Sequence, residues 1–173
     1  MRQGKPLRLF VCSLLCGILS EAAFAQGVRG KAELNTGGGS VTVDYGRPAL
    51  RGRDMLSKLN VGSFWRMGAN QATVLITPAD LTFGSTKIAN GSYSLFLKKE
   101  TADTYHLVFN SQTGQWGTQH DVSKDVAVVP MKAQTMEAPV EVLTIDLKPS
   151  SNGGTFVMTW GTAQLSTDFA IVR

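Results

Sequence analysis

From Val41 onward, apolar and polar residues alternate with a period of two. The run SVTVDY places Val41, Val43 and Tyr45 on one face. ATVLITP sets Ala72, Val74 and Ile76 opposite Thr73 and Thr77, and SYSLFLKK sets Tyr93, Leu95 and Leu97 opposite Ser94, Phe96 and Lys98. TYHLVFN alternates Tyr105, Leu107 and Phe109 with His106, Val108 and Asn110, and DVAVVPM, VLTIDLKP, GTFVMTWG and QLSTDFAIV follow. Period-two alternation rich in β-branched and aromatic residues is the pattern of half-buried strands.

Turn residues punctuate these runs. Asn90-Gly91 predicts a hairpin, because a type I′ turn needs positive φ at both central residues. Ser150-Ser151-Asn152-Gly153-Gly154 predicts a second one. Eight or nine strands at this spacing predict an all-β fold, an antiparallel β-sandwich or jelly-roll-like arrangement. One short helix or helical turn is expected near residues 54–59, with Met55, Leu56 and Leu59 as its apolar side. Glycine-rich residues 26–39 read as a flexible lead-in arm, and residues 40–173 as a single β-sandwich domain.

The first 25 residues have a different character. Arg2, Lys5 and Arg8 precede a short apolar run from Leu9 to Leu19, and Ala23-Phe24-Ala25 offers a cleavage site before Gln26. The run is too short to span a bilayer, so residues 1–25 read as a cleaved signal peptide. The mature chain is then expected to be periplasmic or secreted, with no transmembrane segment. Both cysteines, Cys12 and Cys16, lie inside the leader. Disulfides, thiol chemistry and cysteine metal sites are thereby excluded from the mature chain, and its stability has to come from core burial. Without the leader, 14 basic and 12 acidic residues leave a net charge of +2, too little to argue for a nucleic-acid partner.

The distribution of charge says more than its sum. Four of the six mature arginines, Arg47, Arg51, Arg53 and Arg66, fall in one stretch. Their planar forks call for acceptors, either on a ligand or within the protein. Pro48 ends the first long strand, and Gly46 and Gly52 permit sharp turns. Loops leaving strand ends gather at one end of a sandwich, so Tyr45, Arg47, Arg53, Trp65, Arg66 and Asn70 form the candidate ligand-binding set. One reading is a non-catalytic binding module for a small anionic or sugar-like ligand, with Trp65 or Tyr45 as a stacking face. Another is that the arginines clamp backbone carbonyls and acids such as Asp44 or Glu141, pinning a long connection. A third is an envelope hydrolase using Asp44 and Glu141, with Asp146 as a further carboxylate.

Other chemistry-bearing residues add little. His106 and His120 are the only histidines, are not spaced as a ligand pair, and read as surface residues. No G-x-S-x-G or phosphate-cradling glycine loop occurs. Catalytic residues, metal ligands and cofactors are therefore not assigned. Trp116, in the glycine-flanked TGQWGTQ, is either core filling under a loop or an exposed grip for a sugar or peptide.

The strings DYGRP (44–48), GR (52–53), WRMGANQAT (65–73), NGSYSLF (90–96), VFN (108–110) and VEVLTI (140–145) occur in that order. Together they resemble the domain-of-unknown-function 2911 (DUF2911) family of bacteria, from about Val41 to the C-terminus. The resemblance implies a β-rich exported protein and brings no chemistry with it.

Overall fold

The computed structural model describes residues 1, 28–54 and 56–172. Ten strands occur among them: β1 Arg29–Asn35, β2 Ser40–Gly46, β3 Phe64–Trp65, β4 Thr73–Thr77, β5 Leu81–Phe83, β6 Thr86–Ile88, β7 Gly91–Lys99, β8 Tyr105–Asn110, β9 Asp125–Pro149 and β10 Gly153–Ile171. They pair in the order β1-β2-β4-β7-β8-β9-β10-β5-β6, with β3 added to β7. Every pairing is antiparallel. The fold is all-β, and one 3-10 turn at Val122–Lys124 is the only helical element among the described residues.

β9 makes the layered shape. Its first residues, Asp125 to Met131, pair with β8, and from Lys132 onward it pairs with β10. One strand thus passes from one layer into the other, and the inward residues of both layers meet. Phe83 of β5 lies against Phe109 of β8 at 5.2 Å between ring centroids. Leu95 and Leu97 of β7, Leu143 and Ile145 of β9, and Phe156 and Met158 of β10 share the same core. A second seam joins the layers where Leu143 N–H donates to the Pro48 carbonyl at 3.0 Å and Leu50 N–H to the Glu141 carbonyl at 2.8 Å. The β9–β10 register slips between Thr159 and Ala163, so β9 carries extra residues there, including Pro139, which has no N–H to pair.

Several expectations are corrected. Residues 29–35 of the supposed arm form β1, fully paired to β2 from Arg29↔Gly46 to Asn35↔Ser40. Its Ala32 and Leu34 enter the core, which holds it down. Over residues 54–59 the described chain makes turns, with Ser57 N–H on Asp54 Oδ1 and Leu59 N–H on the Leu56 carbonyl. Met55 lies outside the described residues, as does the leader reading apart from Met1.

Asn90-Gly91 is not the turn of a paired hairpin. β6 pairs with β5 and β7 with β4 and β8, so the dipeptide is a corner between layers. The tight two-residue link is Gly84-Ser85, between Phe83 and Thr86. The second predicted hairpin, at 150–154, is present and joins β9 to β10. In β4 the buried face is Thr73, Leu75 and Thr77, while Ile76 is exposed. Both threonine hydroxyls can go inside because they donate to the Met67 and Ala79 carbonyls.

The 88–91 corner hangs on Asp80. Its Oδ1 accepts the Asn90 N–H at 2.8 Å, and its Oδ2 meets Lys87 Nζ at 2.8 Å. Hydrogen bonding from Lys87 first, and the Asn90 N–H second, hold this carboxyl below the ordinary range. A lowered folded-state value stabilises above the unfolded pKa of about 3.9 and is lost as pH falls through the folded one. Urea unfolding of Asp80→Asn is therefore expected to give a shallower loss of stability from about pH 5 downward than the parent chain. Identical acid limbs in the two proteins would contradict this.

Candidate functional site

DYGRPALRGR leaves the end of β2 and is fastened at almost every step. Tyr45 is buried and its hydroxyl donates to the Ile145 carbonyl at 3.2 Å. Arg47 N–H donates to the Val28 carbonyl, and Arg47 Nε to the Leu143 carbonyl at 3.3 Å. Gly30 lies beneath both side chains: a Cβ there would come within 2.6 Å of Arg47 Cδ and 2.8 Å of Tyr45 Cζ. The chain then reverses through Arg51 and Gly52, at φ 51° and 70°. Arg51 N–H donates to Glu141 Oε1 at 2.8 Å, and exposed Arg53 donates from Nε to the Leu50 carbonyl at 3.1 Å.

WRMGANQAT is an excursion between two strands on the same edge. Trp65 in β3 pairs with Leu97 of β7, and Thr73 in β4 pairs with Leu95 of the same strand. The residues between leave the edge, fold over the end of β2 and rejoin. Met67 and Asn70 take positive φ, 49° and 65°, to make the reversal. Gly46 is required because a Cβ there would land on the Ala69 carbonyl and amide. On the other side, Gly117 N–H donates to the Asn70 carbonyl at 2.8 Å, Ala72 N–H to the Gln115 carbonyl at 3.2 Å, and Gln71 bridges Trp116. A Cβ at Gly117 would sit 2.7 Å from Arg66 Cδ. Arg66 itself donates from Nε to the Gly68 carbonyl at 3.2 Å.

The candidate residues thus fall into pairs. Tyr45 and Arg47 meet over Gly30 against β9, Arg66 and Asn70 share Gly117, and Trp65 stacks on Trp160 at 5.2 Å and 11°. Arg53 stays on its own turn. Arg47, Arg53 and Arg66 each give their Nε–H to a backbone carbonyl. Of the candidate carboxylates, Asp44 is ion-paired with Arg29, Glu141 holds the Arg51 N–H, and Asp146 accepts the Leu147 N–H.

His120 is a correction. The surface role expected for it fails because residues 111–121 fold back across the outer face of β7 and β8. Gln115 Nε2 donates to the buried Ser94 hydroxyl at 2.9 Å. The His120 ring lies 4.1 Å from Phe96 and 4.4 Å from Phe64, with its side chain only 10% exposed. His120 Nε2 meets Asp125 Oδ1 at 2.8 Å, and the same oxygen accepts Asn110 Nδ2 at 2.7 Å. The overlooked signal is the apolar content of the supposedly outward positions. Phe96 and Val108 would both be exposed if nothing covered that face, yet both are buried.

The covering loop carries a surface of its own. Trp116 is 48% exposed at its tip. Trp116 N–H donates to Gln119 Oε1 at 3.1 Å, and Gln119 N–H returns to the Trp116 carbonyl at 2.9 Å. Beside this turn opens a cleft of about 430 Å³ lined by Gln112, Thr118, Gln119, His120, Asp121 and Lys124. The Ser123 hydroxyl, then its N–H, lowers the Asp121 carboxyl from its ordinary value. Among the described residues no group of three or more His, Cys, Asp or Glu could hold a metal ion. No helix among them is long and apolar enough to cross a membrane. The tight packing at Gly46 can be tested directly. Gly46→Ala is expected to cost about 3 kcal/mol in urea unfolding, the upper range for overpacking a site that cannot yield. Gly38→Ala, where a Cβ meets nothing within 4 Å, should stay within about 0.5 kcal/mol of the parent chain.

No curated protein and no solved structure matches this chain. A family model does: the one described as protein of unknown function (DUF2911) aligns with residues 28–169. That span runs from the residue before β1 almost to the end of β10, and it takes in both motif loops and the covering loop. The chain belongs to the DUF2911 family.

Proposed function

We propose that this protein is an exported, non-catalytic β-sandwich binding module that holds a sugar-like ligand on the loop at 111–124. The observation that carries this reading is the exposed Trp116 on a turn pinned from several sides. An indole held rigid before the ligand arrives loses little freedom on binding and offers a flat apolar face to a sugar ring. The adjoining cleft supplies what hydroxyl groups need: amides on Gln112 and Gln119, a hydroxyl on Thr118, and both a carboxylate and an ammonium on Asp121 and Lys124. The two charges lie 3.8 Å apart, which favours a neutral polyhydroxylated ligand over a small anion.

The arginine clamps fit the same reading. With each Nε–H on a carbonyl, Arg47, Arg53 and Arg66 act chiefly as fasteners of the loops. Arg66 and Asn70, packed on Gly117, position the turn that displays Trp116. Hydrolysis through Asp44 and Glu141 is the weaker reading, because both carboxylates already serve other groups. Export rests on the leader at 1–25, and the mature protein is proposed to be periplasmic or secreted.

Titrating the mature chain with N-acetylglucosamine oligosaccharides and other envelope glycans, followed by calorimetry, tests the site. Saturable binding is expected, weakened roughly 10- to 30-fold by Trp116→Ala, as for truncation of a central aromatic anchor. The melting temperature should barely move, since the side chain is half exposed. Unchanged affinity in the variant, or no glycan bound at all, would overturn the assignment. A second check is the intact mass of the protein from the envelope or medium, which should begin at Gln26; a retained leader would remove the export step.

A further inference from the structure

The cleft beside Trp116 is lined by an imidazole whose second nitrogen has nothing to bond. The His120 side chain is nine-tenths buried, with its ring between Phe96 and Phe64 and its Nε2 on Asp125 Oδ1 at 2.8 Å. That oxygen also accepts Asn110 Nδ2 at 2.7 Å, and the fully buried Asn110 donates again to the Asp121 carbonyl at 2.8 Å. Ring, carboxylate and amide are thus fixed together. Nδ1 has no partner among the described residues. The sealed polar atoms without partners among those residues are Gln115 Oε1 and Trp160 Nε1, and Nδ1 is not one of them. It therefore meets the open cleft that His120 lines.

A carboxylate only accepts, so the neutral imidazole carries its proton on Nε2 and presents a lone pair at Nδ1. Other acceptors in the cleft are already engaged. Asp121 Oδ1 takes the Ser123 N–H at 3.0 Å and hydroxyl at 2.6 Å, and Asp121 Oδ2 faces Lys124 Nζ at 3.8 Å. Gln119 Oε1 takes the Trp116 N–H at 3.1 Å, which leaves the Gln119 amide as a donor through Nε2. Residues 119 and 120 therefore bring one donor and one acceptor to the same cleft. A secondary amide needs one of each. Its N–H only donates and its carbonyl only accepts, whereas a hydroxyl does both and makes no such demand.

We propose that the ligand of this cleft is an acetamido sugar, whose amide N–H donates to His120 Nδ1 and whose amide carbonyl accepts from Gln119 Nε2. The assignment rests on the sugar site proposed at Trp116 and narrows its ligand. It makes His120 a residue of the site as well as a wedge beneath it. A fixed donor and acceptor reject an analogue that cannot satisfy both, because a polar group is then left unpaired.

Calorimetry at neutral pH compares two probes on the mature chain: the β-1,4-linked trisaccharide of N-acetylglucosamine and the matching trisaccharide of glucose. The parent chain is expected to bind the acetamido trisaccharide about 10-fold tighter, the worth of one to two hydrogen bonds. His120→Phe keeps a ring between the two phenylalanines and removes Nδ1, and it should lose most of that preference. If His120 only stiffens the loop, the variant weakens both sugars by the same factor and the preference stands; that result would overturn its role in the site. Equal affinities in the parent chain, with both still lost in Trp116→Ala, would overturn the acetamido assignment and leave the Trp116 site in place. Binding of neither sugar ends both. Should His120→Phe fail to fold, a crystal of the parent chain with the acetamido trisaccharide decides. An amide nitrogen of the sugar within hydrogen-bond distance of Nδ1 would uphold the proposal, and only water there would end it.

Discussion

The architecture at the motif end depends on backbone lying directly on backbone. Gly46 faces the Ala69 carbonyl, Gly68 lies against Gly46 and the Thr73 hydroxyl, and Gly117 lies against Arg66 and the Asn70 carbonyl. At Gly46 and Gly117 no room is left for a Cβ, and at Gly68 one would be tight, 3.0 Å from Thr73 Oγ1. Close approach of this kind gives the excursion between β3 and β4 hydrogen-bond partners on both sides, which an irregular segment otherwise has trouble finding. It also explains why Asn70 and Met67 tolerate left-handed backbone. The reversal has to fit within a few residues, and the packing around it repays that strain.

The arginines follow from the same constraint. A loop that leaves a sheet edge has carbonyls without ladder partners, and a guanidinium can reach them while keeping donors to spare. Arg66 binds within its own excursion, Arg53 closes its own turn, and Arg47 crosses to β9. The difference in reach matters. Arg47 and Tyr45 tie β2 to Leu143 and Ile145, and so join the two layers, whereas Arg53 and Arg66 bond carbonyls of the connections that carry them.

The all-β class was legible in the sequence because the alternation in β7, β8 and the end of β9 is set by local burial. Residues such as Leu95, Leu107 and Ile145 point inward as their spacing implies. Three things were not legible, each for a non-local reason. β1 reads as a glycine-rich arm because only two of its side chains reach the core, and its pairing to β2 is backbone chemistry that composition does not record. Asn90-Gly91 carries a strong local turn preference, but which strands flank a turn is decided by sheet order. His120 lies 24 residues from Phe96 in the chain, and their stacking depends on where the intervening loop lands. The candidate site was legible as a motif and illegible as a surface. Arg47, Arg66 and Asn70 do lie at close-packed loops, yet the exposed tryptophan, next to the Gly117 on which Arg66 and Asn70 pack, is Trp116, which spacing alone could not bring near.

That covering loop links the parts. It buries Phe96 and Val108 on the outer face, anchors through Gln115 to Ser94, and is joined to the motif by the Asn70–Gly117 and Gln71–Trp116 pairings. Local opening is cheap where a segment has few buried contacts and few internal bonds. This loop has a histidine wedged between two phenylalanines at one end and backbone bonds to the excursion at the other. The backbone that carries Trp116 at its tip is therefore held from both ends. The motif thereby fixes the backbone of the turn that displays Trp116.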